Sequence, residues 1–138
     1  MANGNDYNQR IIDEFRANGG KVGREWDGYH LLLLHSTGAK TGQPRVNPVG
    51  YRRDSDRFVV LASNGGAPTH PDWYHNLRAN PQVTVEVGNE RFGASARVTI
   101  NGERDRLWRE FKKEIPVLDD YEHKTSRQIP VVVLERVA

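Results

Sequence analysis

Residues 29–63 read YHLLLLHSTGAKTGQPRVNPVGYRRDSDRFVVLAS, and the order of apolar runs and turns in this stretch decides the fold. Tyr29–Ser36 carries four consecutive leucines, Leu31–Leu34, and reads as a strand buried on both faces. The segment STGAKTGQPR follows with two glycines and a proline, so it turns rather than continues. Arg45–Arg53 and Arg57–Ser63 then read as two further strands, joined at Asp54-Ser55-Asp56 in a hairpin.

The flanking sequence fits the same plan. Tyr7, Ile11 and Phe15 recur every four residues, which predicts an amphipathic helix within residues 1–20 that stops at Gly19-Gly20. After Asn64-Gly65-Gly66-Ala67-Pro68, Thr69 or His70 can cap a helix over Pro71–Ala79, which Asn80-Pro81 ends because proline excludes the α conformation before it. Val83, Val85 and Val87 alternate along one strand, Phe92–Ile100 forms the next, and Gly88-Asn89 turns between them. Leu107, Trp108, Phe111 and Ile115 stripe a helix that Pro116 terminates. A short polar segment, Leu118–Ser126, precedes a last strand over Ile129–Val137. Short antiparallel strands with few helices indicate a mainly β (α+β) barrel of about six strands, with helices packed at its ends.

The 138 residues suit a single domain, and 28% charged with 36% apolar residues is ordinary globular composition. No run reaches the roughly 18 apolar residues of a membrane-spanning helix, and MANGNDYNQR has no export signal core, so a cytoplasmic location is expected. The absence of cysteine rules out disulfides, thiolate metal sites and a cysteine nucleophile. None of the five histidines falls in a metal-binding spacing, so no metal is expected, and no G-x-S-x-G marks a serine hydrolase.

A net charge of +2 does not call for nucleic acid, and no basic groove with stacking aromatics is evident. Its distribution says more. Between Asp27 and Asp54 there is no carboxylate, while Lys40, Arg45, Arg52 and Arg53 all lie in that window. Gly38-Ala39-Lys40-Thr41-Gly42 is not a Walker loop, yet a glycine-bracketed turn offers amides and cations to a phosphate or carboxylate. The alternative is a plain hairpin loop with solubilising charges. Ser63 and Asn64 offer polar atoms at a strand end, beside glycines that let backbone approach a flat ligand. Trp73 and Tyr74 can pack on such a ring; alternatively Trp73 joins Leu77 as the buried face of its helix.

Taken together, LHSTGAKTGQPRVNPVGY (34–51), FVVLASNGGAPTHPDWYHNLRANPQVTVEVG (58–88) and TSRQIPVVVLERV (125–137) resemble the deazaflavin-dependent nitroreductases of actinobacteria. The resemblance implies a split β-barrel and coenzyme F-420, an 8-hydroxy-5-deazaflavin with an anionic phosphate and oligoglutamate tail. It implies that Ala39, Lys40, Thr41 and Arg45 hold the phosphate and tail. Pro48, Val49 and Gly50 border the deazaflavin, Leu61, Ala62, Ser63 and Asn64 lie along it, and Trp73, Tyr74 and Asn76 close the site from the helix.

The implied reaction moves a hydride from the reduced coenzyme to a small organic acceptor such as a quinone or nitroaromatic, with Tyr121 as proton donor or acceptor-positioning group. Members that reduce nitroimidazoles carry more tyrosines, where this chain has Gly50, Ile115 and Leu118, which favours a more apolar acceptor. An FMN-binding split barrel of the pyridoxamine-oxidase type and a non-catalytic coenzyme binder are the competing readings. A lipid quinone would bring peripheral contact at the inner membrane face, with the first helix covering the acceptor. Either a monomer or a homodimer is compatible.

Overall fold

In the computed structural model, residues 4–23 and 30–137 are described. Helix α1 spans Gly4–Ala17, and strands β1 (Leu31–Thr37), β2 (Pro44–Asp54) and β3 (Arg57–Leu61) follow. A single 3-10 turn at Asn64–Gly66 leads to α2 (Asp72–Ala79). The chain then runs through β4 (Gln82–Val87), β5 (Glu90–Val98), α3 (Asn101–Glu114), α4 (Val117–Lys124) and β6 (Val131–Arg136). Tyr29, the predicted first residue of β1, and residues 1–3 of the predicted N-terminal helical segment lie outside the described residues.

The strands close into the barrel β1-β2-β3-β6-β5-β4, antiparallel at every pairing, with β1 against β4 completing it. Strand alternation sorts the apolar residues into two sets. Leu32, Leu34, Phe58, Val60, Val132 and Leu134 fill the barrel. Their neighbours point outwards: Leu31 and Leu33 meet Ile11, Ile12 and Phe15 of α1, while Val59, Val131 and Val133 meet Leu107, Trp108 and Phe111 of α3 and Leu118 of α4. This is why β1 opens on four consecutive leucines, Leu31–Leu34.

Helices α1, α3 and α4 pack on two flanks of the barrel wall, and α2 packs Trp73, Tyr74 and Leu77 against the barrel interior. Tyr7, at 38% exposed, lies outside the buried stripe, which is Ile11, Ile12 and Phe15. Gly19 and Gly20 adopt the positive φ values (62° and 94°) that end α1 as expected. The polar segment after Pro116 is a helix, α4, because Leu118 is buried beneath it. Neither Thr69 nor His70 caps α2; Pro71 occupies the N-cap and the His70 ring is engaged elsewhere.

One register detail shapes the site. Residues 44–50 of β2 pair with β1, whereas only Tyr51–Asp54 pair with β3. β3 stops at Leu61, so among the described residues no strand covers the other edge of β2 from Pro44 to Gly50. β2 therefore overhangs β3, and its free edge opens the otherwise closed barrel at this end, the split end.

Candidate functional site

Because all neighbours are antiparallel, the C-terminal ends of β1, β3 and β5 and the N-terminal ends of β2, β4 and β6 share one end of the barrel. Three connections emerge at that end: the glycine loop 38–43, the crossing 62–71 with α2, and the α4–β6 link 125–130.

The glycine loop is a closed turn. The Gly42 amide donates to the Gly38 carbonyl (2.9 Å) and the Gly38 amide to the Gln43 carbonyl (2.8 Å). Thr41 Oγ1 accepts from the Gln43 amide at 3.2 Å, so its hydroxyl is partly engaged within the loop. Asn76, 8% exposed on α2, accepts from the Ala39 amide at 2.9 Å and donates to Ser36 Oγ at 3.3 Å. Asn80 donates to the Thr37 carbonyl at 3.5 Å. The Asn76 amide, expected at the ligand, is therefore occupied in fixing the loop that carries Lys40.

Of the four cations in the acid-free window, two lose their isolation in the fold. Arg52 pairs with Glu114 and lies 4.0 Å from Glu110, both on α3, and Arg53 sits over the Phe58 ring at 4.8 Å. Lys40 and Arg45 are exposed, and neither forms an ion pair with a described carboxylate. Cations without acidic neighbours keep their positive field for an incoming anion.

Along the open edge of β2, Val49 points into the barrel at 7% exposed. Val46, Pro48 and Gly50 fall on the outer face, where Val46 touches the α1 cluster. Among the described residues, a Cβ built on Gly50 meets only the His30 carbonyl oxygen, 3.9 Å away, and Gly50 itself is exposed. In register, Gly50 lies next to Leu61, and the chain then leaves β3 as Ala62-Ser63-Asn64. Asn64 has φ +50°, and its side-chain amide donates to the Thr69 carbonyl at 3.0 Å, closing this crossing on itself.

Tyr121, half-buried on α4, faces the same crossing. A Cβ on Gly66 would come within 3.2 Å of Tyr121 Cα and Cδ1, so only glycine lets the turn approach the helix this closely. Leu118 is 4% exposed beneath α4, and Ile115 is partly buried against the same cluster. Trp73 and Tyr74, at 8% and 6% exposed, belong to the barrel interior with Leu77, which leaves little of either ring for a ligand.

Sequence reasoning missed Arg127. Its guanidinium donates to the carbonyls of Ala67 (3.0 Å), Ala62 (3.1 Å) and Ser63 (2.8 Å), and meets His70 Nδ1 at 3.0 Å. The His70 ring also packs at a tilt against Tyr74, with centroids 4.6 Å apart. Burial, then the neighbouring Arg127, His75 and Arg78, push the His70 pKa down, and because a guanidinium only donates, the ring accepts from Arg127 at Nδ1. An arginine in a polar stretch carries no signal in sequence that its partners lie about 60 residues upstream.

The structure resembles several solved proteins. A solved F-420-H2-dependent reductase is 36% identical, with a TM-score of 0.70 over 76% of this chain and 93% of that one. A solved domain-swapped dimer is 32% identical, with a TM-score of 0.71 over 96% of this chain and all of the other. A pyridoxamine 5'-phosphate oxidase-like protein from Listeria innocua, 14% identical at a TM-score of 0.57, shares the fold alone. Among curated relatives, an F-420H(2)-dependent quinone reductase of Mycobacterium tuberculosis is 44% identical over 88% of this chain and 85% of its own length. The family model for F-420H(2)-dependent quinone reductase matches residues 8–136, so the chain belongs to that family and is an oxidoreductase that uses reduced coenzyme F-420 as its hydride donor.

Proposed function

We propose that the chain binds F-420 at the split end of the barrel and passes its hydride to an apolar quinone. The observation that carries this reading is the pair of acid-free cations, Lys40 on a loop that α2 fixes and Arg45 at the start of β2, beside that strand's open edge. The residues fit the coenzyme's chemistry. Lys40 and Arg45 hold the phosphate and acidic tail. Pro48, Val49 and Gly50 border the ring on the uncovered edge, and Leu61–Asn64 bound it from the strand end.

When bound, the reduced deazaflavin supplies the two electrons and the hydrogen as a hydride. The protein's part is to orient the ring and keep water from its reacting face. Val46, Pro48 and Gly50 give that face a low, largely apolar floor, and Tyr121 with Ile115 borders it from the α3–α4 side. The Tyr121 hydroxyl positions the acceptor or passes a proton to its oxygen, and solvent supplies protons where the acceptor stays wet.

The α1 helix supports the fold by packing on β1, so an added role in meeting a lipid quinone would rest on its exposed face alone. A homodimer is a second assembly to test, in view of the domain-swapped relative.

Titration of the purified protein with oxidised F-420 and with FMN, followed by reoxidation of the reduced coenzyme by a quinone panel, tests the reading. F-420 binding with turnover by apolar quinones is expected. Tighter FMN binding, or bound coenzyme that no quinone reoxidises, would overturn it.

A further inference from the structure

Arg127 is the group that the binding reading leaves without a task. It sits at the α4–β6 link, where its guanidinium gathers the carbonyls of Ala62, Ser63 and Ala67 and the ring of His70. Among the described residues no carboxylate pairs with it, and burial alone draws its pKa below the usual arginine range. Carbonyl dipoles solvate such a charge without cancelling it. Partly burying a cation carries some desolvation cost, which an apolar side chain joining the same two segments would avoid. What an apolar side chain lacks is the planar fork, which fixes several acceptors at once in one geometry.

The acceptors define what is fixed. Ala62 and Ser63 are the first residues after β3, beside Gly50 at the split, and Ala67 ends the glycine crossing. Without Arg127 this crossing would be tied by the Ala62 amide to the Pro130 carbonyl (3.0 Å), the Asn64 side chain to Thr69 and its own 3-10 turn. We propose that Arg127 is a positioning residue for hydride transfer: it holds the Ala62–Ala67 backbone at the height that sets the deazaflavin ring against the acceptor.

The proposal rests on the reading that Ser63 and Asn64 flank the ring, and it makes a specific demand. Geometry that serves the reacting atoms is lost in turnover, whereas the tail stays held by Lys40 and Arg45. A displacement of about 1 Å at a reacting centre can lower the rate on the order of 100-fold.

The test uses Arg127→Lys, which keeps the charge but not the fork, and Arg127→Gln, which keeps a planar donor without charge. Each is measured for melting temperature, F-420 dissociation constant, bound-coenzyme absorbance and fluorescence, kcat with a soluble quinone, and the His70 titration by NMR without coenzyme. In both variants kcat is expected to fall 10- to 100-fold with the F-420 dissociation constant within about threefold of the parent, and the bound-coenzyme spectrum is expected to shift. The His70 pKa should rise most in Arg127→Gln, because the neighbouring cation is gone.

Parent-like kcat and spectrum in folded Arg127→Lys and Arg127→Gln would overturn the proposal. So would a kcat loss that merely follows the unfolded fraction. Ser63→Ala and Asn64→Ala separate this failure from that of the binding reading. If those two leave the bound spectrum unchanged, the ring lies elsewhere; if they shift it while the Arg127 variants do not, only the positioning role fails.

Discussion

On the flank that α3 covers, Arg57 donates to Asp54 and Glu103, Arg106 reaches Asp54, and Arg97 reaches Glu103. Arg52 joins Glu110 and Glu114 on the same helix. At the split end, Lys40, Arg45 and Arg127 have no described carboxylate beside them. The two regions have similar numbers of cations and opposite electrostatics. On the flank the charges are neutralised in pairs, and both Asp54 and Glu103 are held down at about 2 by hydrogen bonds from their arginines. At the split end the positive field is left for a ligand. A count of charges along the sequence does not distinguish these cases, since Arg52 stands only seven residues beyond Arg45.

The largest effect expected from this contrast is on coenzyme binding. Lys40→Ala or Arg45→Ala should each weaken F-420 by about 1–3 kcal/mol, the range for losing a charge-assisted hydrogen bond, and added salt should weaken binding to the parent. Arg106→Gln, on the paired flank, should leave the dissociation constant unchanged. Fluorescence titration of all three in low and high salt checks the contrast; equal losses at both places would dissolve it.

Asn76→Ala comes next. It removes the acceptor of the Ala39 amide and the donor to Ser36, so it should cost on the order of 1–2 kcal/mol in stability. It should also weaken F-420 binding about three- to tenfold, a smaller loss than for Lys40→Ala because the cation remains and only its loop loosens. Urea midpoints and binding constants measured together give the answer, and unchanged affinity would show that α2 has no hold on the anion loop.

Acid sensitivity sharpens the flank side of the comparison. Asp54, Glu86 and Glu103 all have folded pKa values of about 2, below their ordinary 3.8 to 4.5. A carboxylate with a depressed folded pKa stabilises the protein fully above its unfolded value, and that stability is lost as pH falls from about 4.5 toward 2. For Glu86, held by Arg16 and His35, the loss is on the order of 1 kcal/mol once the exposure of Arg16 is considered. Urea midpoints at intervals from pH 6 to 2 should fall in that window, and Glu86→Gln should flatten part of the fall.

The smallest expected effect is that of Tyr121→Phe. Turnover should drop about tenfold or less, below the ~10²–10⁴ of an obligatory proton donor, with coenzyme affinity constant. Unchanged turnover would reduce Tyr121 to packing beside Gly66.

Much of this molecule was determined locally. The apolar run of β1, the glycine stop after α1, Pro81 and Pro116 at helix ends, and the Gly88-Asn89 turn each follow from backbone sterics or a two-faced burial pattern, which neighbouring residues carry in full. The quoted motifs also carried the family and its coenzyme. Tertiary structure alone decided three other matters. It placed α1 and α3 on the flanks, because an outward stripe on β1 or β6 does not name its partner helix. It turned Leu118–Lys124 into a helix, since one buried leucine acts only once Trp108 and Phe111 stand beneath it. It also separated Arg52 from Arg45 and joined Arg127 to Ala62. Coulomb and hydrogen-bond partners are chosen by distance in space, and the chain brings residues about 60 apart into contact only when the barrel closes.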